Sequence, residues 1–391
     1  MTENTANFIN QDRQRSQDRF SIILAVLASF ISCFAIPIAS SGKLGSAVAI
    51  AATVICSVVT VRFSSRKILT LITLVGLFSS FGLSGSLPII SILLACTVGC
   101  GCFAWLISKT ESPFLALIPT LAYAASTVIT KSWFGSLLTL VFVLPAILLA
   151  QSYEKLNSRV SSLLRVSFGF LVFIALGILL SMLYFTGEVN TQIIGEVLDS
   201  IRDTFVKLLS SYEMSMVNGE TQALMSETDA YNLVSMVISL LPALTVILCY
   251  ALAYLAQKVQ FSIFISTEGE RSFNELRRVF IMSPISAVVF VTAFLVYTVA
   301  ATDRDSEMLA TVTSNLYLIL TPGLAFMGIK SFLEGRSRLA RRGCSSLLIS
   351  SLFIFLLFFS TGTAIITAAC FGAYCAIEAP IRKHFQKKNN K

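Results

Sequence analysis

The sequence predicts an all-α protein: a polytopic transmembrane helix bundle of about twelve spans, range 8–12, with one external amphipathic helix. Three observations predict it. Hydrophobic residues fill 55% of the 391 positions and charged residues only 13%, about half of what a soluble domain carries. Apolar runs of about 18 residues, enough to cross a bilayer core, follow one another back to back. The charges lie between those runs, none in the middle of one. Helices are the expected form because a backbone in lipid must satisfy its polar groups within the segment, and barrel-type strand alternation is absent.

In chain order, residues 1–19 read as an Asn-, Gln- and Arg-rich cytoplasmic tail and 20–185 as an N-terminal transmembrane bundle. Its spans are Phe20–Ser40, Leu44–Val61, Ile68–Leu83, Leu87–Ile107, Pro113–Thr130, Trp133–Ala150 and Val166–Phe185. The first resembles a signal peptide, but its length and the spans that follow mark it as a retained helix. Residues 186–231 form an external acidic segment with eight acidic and two basic residues. Within it Ile193, Val197, Ile201, Phe205, Leu208, Leu209 and Tyr212 recur at helical spacing, with Glu196, Asp199, Asp203 and Lys207 on other faces. This amphipathic helix lies on the outer surface or caps the bundle; its negative charge favours packing on the protein. Ser226-Glu227-Thr228-Asp229 offers capping groups for the helix that follows.

The C-terminal bundle, 232–380, holds Asn232–Ala256, Pro284–Ala301, Leu309–Lys330, Ser345–Phe359 and Thr363–Ala379, and residues 381–391 are a polybasic tail. Ser345–Ala379 is split at Ser360-Thr361-Gly362-Thr363 because basic clusters flank both ends, and equal sidedness requires an even number of crossings. Glu378, before Ala379-Pro380, marks a helix end. The basic Ser272–Ile281 piece, with Phe273, Leu276 and Phe280, belongs at the lipid headgroup level. Alternating these spans puts 24 of the 29 Lys and Arg residues on one side, leaving only Lys43, Lys131, Arg202, Lys207 and Arg304 on the other. By the positive-inside rule the first side is cytoplasmic, and both termini lie there, in the cell's cytoplasmic membrane.

The distribution of polar residues disfavours catalysis. The only histidine, His384, lies in the tail, and no Asp lies within any span, so Ser–His, HExxH and paired-aspartyl sites have no residues to build them. Glu188, Asp303, Asp305 and Glu378 stand at span ends, where a carboxylate relay through the bundle has no footing. The nine cysteines lack a CxxC pair; Cys96, Cys100 and Cys102 with Gly99 and Gly101 read as a small packing patch, not a metal site. No cofactor or nucleic-acid signature is present, and without a phosphate-binding loop the chain is no ATPase itself.

Two local patterns carry functional expectations. Thr321-Pro322-Gly323, with Asn315 two turns earlier, reads either as a broken helix facing a ligand or as a packing kink with Asn315 an interhelical hydrogen-bond donor. Ala35 with Ala39, and Gly45 with Ala49, form small-residue faces for neighbouring helices of this chain or of a partner membrane subunit.

The stretches Leu233–Tyr250, Phe273–Pro284 and Asn315–Lys330, with the basic turn and final apolar hairpin ending in Arg382, resemble the YybS-like family of bacterial membrane proteins. That family is distantly similar to the S-components of energy-coupling-factor transporters. The resemblance implies a helical bundle that binds a small metabolite and docks through small-residue faces onto membrane or ATPase subunits. The functional expectation is therefore a subunit that binds or transports a neutral small molecule. The alternative is a non-transporting membrane scaffold for envelope or division proteins.

Overall fold

The computed structural model describes residues 19–32, 87–110, 113–130, 143–154, 159–187, 191–211, 213–215, 221–223, 225–268, 280–302, 306–339 and 361–389. Its helices are α1 (Arg19–Ser32), α2 (Leu87–Thr110), α3 (Leu117–Thr130, led by a 3-10 turn at Pro113–Ala116), α4 (Val143–Glu154) and α5 (Arg159–Thr186). They continue as α6 (Thr191–Ser210), α7 (Glu227–Ser239), α8 (Leu241–Glu268), α9 (Pro284–Ala300), α10 (Glu307–Leu339) and α11 (Thr361–Asn389). The all-α expectation needs one small amendment: between α6 and α7, Glu213–Ser215 pairs antiparallel with Thr221–Ala223.

Among the described residues, three stretches are long and apolar enough to cross a membrane: Arg159–Leu180 in α5, Leu241–Phe264 in α8 and Glu307–Ser331 in α10. Arg19–Ser32, Phe114–Ala125, Val143–Tyr153, Pro284–Ala300 and Gly362–Glu378 are shorter apolar helices. Leu44–Val61, Ile68–Leu83, Ser345–Phe359 and the docking face Ala35, Ala39, Gly45 and Ala49 lie outside the described residues.

Local chemistry explains several boundaries. Ser226 caps α7, accepting a hydrogen bond from the Asp229 N–H at 3.1 Å, as its Ser-x-x-Asp spacing predicts. Ser283 caps α9 in the same way through Ser286, with Pro284 in the first turn, where its missing N–H costs nothing. The expected single span Asn232–Ala256 is instead two helices, α7 and α8, interrupted at Leu240 because Pro242 has no N–H for the Ile238 carbonyl. The expected end at Glu378 is also displaced: α11 runs through Pro380 to Asn389.

The chain divides into two compact units. One comprises Met1–Val189 and Leu248–Val279; the other comprises Asn190–Ile247 and Phe280–Lys391. In the first, α1, α2, α4, α5 and the later part of α8 share a core that includes Ala25, Ala28, Trp105, Leu149, Val166, Ala256 and Ile263. Glycines set how closely these helices approach. A Cβ on Gly99 would strike Ser32, one on Gly101 would strike Val259 and the Ala256 carbonyl, and one on Gly169 would strike Leu148 and Pro145.

In the second unit α10 packs on α11 and α9. Ala364, Ala368, Gly372 and Ala376 recur every four residues along α11, and their small side chains let the backbones meet. A Cβ on Gly372 would collide with the Leu324 carbonyl, and one on Gly328 with the Ala368 carbonyl. Phe280 is buried and meets Phe326 edge-on at 5.1 Å, so this ring packs on α10.

Candidate functional site

Asn315 occupies the break between α7 and α8. Its Nδ2 donates to the Ser239 carbonyl at 2.8 Å and to the Thr311 carbonyl of its own helix at 2.9 Å. Its Oδ1 accepts from the Ala243 N–H at 2.9 Å. In an unbroken helix Ser239 O and Ala243 N–H would bond each other, four residues apart. The Asn315 amide stands between them and completes both ends. Both of its N–H groups and one lone pair are thereby used, which is the role of interhelical donor.

The remaining residues of that candidate are occupied as well. Helix α10 is continuous with Pro322 inside it, so this helix bridges the Thr321-Pro322-Gly323 sequence without a break. Thr321 is buried and its hydroxyl donates to the Tyr317 carbonyl at 2.8 Å. The Met282 side chain covers Gly323 at a distance of 3.1 Å from where a Cβ would stand. No polar atom of the described side chains in this set is left to face a ligand.

Four of the six unpartnered buried polar atoms among the described residues lie in the other unit; the remaining two, Arg202 Nε and Ser235 Oγ, are on α6 and α7. Trp105 Nε1 on α2, Ser152 Oγ on α4, and Gln257 Oε1 and Gln260 Nε2 on α8 are buried and have no hydrogen-bond partner. Trp105 follows by one turn Gly101, where α2 touches Ala256 and Val259 of α8. Ser152 precedes Tyr153, whose ring stacks on Phe264 of α8 with centroids 4.2 Å apart. Gln257 and Gln260 fall between those two contact points, and Gln260 shares the buried face of α8 with Ala256, Ile263 and Phe264. A Trp, a Ser and two Gln spread over three helices form no linear motif, so this set is not legible in the sequence. The available signal was two amides, Gln257 and Gln260, on either side of Lys258 within a long apolar helix.

Basic and aromatic groups border this set. Gln257 Nε2 makes a long, 3.4 Å bond to the Arg159 carbonyl at the start of α5. The Arg159 guanidinium and the Lys258 ammonium lie 5.4 and 5.2 Å from the centre of the Tyr254 ring, within cation–π reach. No group of three or more His, Cys, Asp or Glu able to hold a metal ion exists among the described residues. Cys100 and Cys102 are buried in the helix core.

Long apolar helices, backbone contacts set by small residues and exposed leucines, valines and phenylalanines on the spans define a helical integral membrane protein in contact with lipid. The chain belongs to the DUF2232 family of predicted membrane proteins, whose model matches residues 79–374. No curated protein and no solved structure matches it.

Proposed function

We propose that the protein is a solute-binding subunit of a membrane transport system, taking a neutral small molecule and working with partner subunits. The observation that carries this reading is the buried set Trp105 Nε1, Ser152 Oγ, Gln257 Oε1 and Gln260 Nε2. A buried polar atom without a partner costs about 1–3 kcal/mol, and native proteins keep such atoms mainly where water, an ion or a ligand completes them. This set offers two donors, one acceptor and a hydroxyl that can be either, with no ionised group among them. It suits an uncharged ligand bearing both a carbonyl-type acceptor and an N–H or O–H donor.

Lys109, Arg159 and Lys258 belong to the loop-charge set read as cytoplasmic, and on that reading the site opens toward the cytoplasm, where both termini also lie. The YybS-like resemblance and its distant similarity to S-components support the same reading. They also suggest that Ala35, Ala39, Gly45 and Ala49 dock a membrane or ATPase partner. Catalysis has no place in this proposal.

The test is native mass spectrometry of the full-length protein in nanodiscs, followed by thermal unfolding with the retained compound. Wild type is expected to retain a small neutral molecule that raises its unfolding temperature. S152A and Q260L are expected to lose that rise, while Q260L alone makes the ligand-free protein more stable by about 1 kcal/mol or more, because an unpaired amide is gone. Retention of no compound, or equal stabilisation of Q260L and wild type, would overturn the proposal. The scaffold alternative would dock envelope or division proteins through the acidic outer segment and the basic inner loops.

A further inference from the structure

Helix α6 is amphipathic, but the neighbour it packs on covers only part of its apolar arc. Val206 is 6% exposed and, with Leu209 and Ile238, packs against Ala230 and Val234 of α7. Arg202 leans the same way, its guanidinium 5.5 Å from the Tyr231 ring and its Nη1 on Asp199 Oδ1 at 2.8 Å. The rest of the arc is uncovered. Ile194, Val197, Ile201, Phe205 and Leu208 form one stripe, 41–58% exposed. Glu196, Asp199, Asp203 and Lys207 occupy the opposite face and are exposed too.

Connectivity identifies what covers the stripe. Helix α6 stands in the sequence between two segments long and apolar enough to cross a membrane, Arg159–Leu180 and Leu241–Phe264, and two successive crossings return the chain to one side of a bilayer whichever way the protein faces. Only four residues separate Thr186 from Thr191, a reach of about 17 Å. At the other end α7 passes into α8 through Leu240 alone. Exposed apolar residues run on without a gap from Leu233, Met236 and Val237 of α7 to Leu241, Leu244 and Leu248 of α8. Helix α6 therefore packs beside the surface end of a lipid-facing band.

We infer that α6 lies in the plane of the membrane interface, with Ile194, Val197, Ile201, Phe205 and Leu208 inserted among lipid acyl chains and its acidic face in water. With three carboxylates against Arg202 and Lys207 it carries one net negative charge, so hydrophobic insertion binds it and anionic headgroups do not. Phosphatidylcholine alone is the sufficient partner.

A photoreactive phenylalanine analogue tests this when placed singly at Val197, Ile201, Phe205, Asp199 or Asp203 of the full-length protein in phosphatidylcholine vesicles. After illumination, lipid adducts at the three stripe positions are expected to exceed those at the two acidic positions about five-fold or more, and to be unchanged by high salt. As a second reading, F205W should add fluorescence that brominated phosphatidylcholine quenches. Crosslinks to a second copy of the chain, or equal and low lipid adducts at all five positions, would overturn the inference.

Discussion

A proline near the start of a helix leaves the carbonyl four residues before it without its helical donor, and where the helix breaks there the neighbouring carbonyls and N–H groups need other partners. Asn315 answers that problem for Ser239 and Ala243 with one side chain. Replacing it with leucine removes both interhelical bonds and leaves two backbone groups unpaired. N315L is therefore expected to lower stability by about 2–4 kcal/mol, whereas conservative replacement of the exposed Asn232 changes it little. Chemical denaturation in micelles measures the difference. A ligand role for Asn315 would instead show as lost binding at near-normal stability.

Glycines sort the elements by what surrounds each one. Gly195 lies in α6 with nothing within 4 Å of a would-be Cβ, so G195A gains helix propensity and should stabilise by about 0.5–1 kcal/mol. Gly187 ends α5 with φ +75°, a left-handed conformation that alanine adopts at a cost of about 1 kcal/mol, so G187A acts in the opposite direction. Thermal unfolding of the two variants in nanodiscs should show opposite shifts. At Gly372 the obstacle is the Leu324 carbonyl of α10, part of a neighbouring backbone that cannot rotate aside. G372V should separate α10 from α11 and sharply reduce the yield of folded protein in detergent, measured by size-exclusion profile. A flexible side chain in place of that carbonyl would have made the substitution tolerable.

For the whole molecule, the loop charges predict sidedness: Glu188 and Asp303 should lie outside and Lys258 inside. Single cysteines at these positions, probed with an impermeant maleimide in intact cells, are expected to label only at the first two. The membrane character, the amphipathic α6 and the Ser226 cap were legible in the sequence because each depends on residues close together along the chain. The candidate site was not. Thr321-Pro322-Gly323 reads in the sequence either as a broken helix or as a packing kink with Asn315 an interhelical donor; α10 runs through Pro322, the break falls at Leu240 and Pro242, and Asn315 bonds both of its sides. Similarly, Ala364, Ala368, Gly372 and Ala376 were visible as a spacing, but their use became plain only with α10 beside them.

That this chain lives in a bilayer is legible in the sequence residue by residue, because apolar run length and the position of charges are matters of transfer free energy. So is where α6 is apolar and where it is acidic. Packing between helices sets which half of that apolar arc meets α7, which proline breaks a helix, and which polar groups go unpaired. Those outcomes depend on what another helix places opposite each residue. Asn315 is satisfied and Gln260 is not, although both are amides in apolar surroundings, because a broken backbone faces the first and an apolar core surrounds the second.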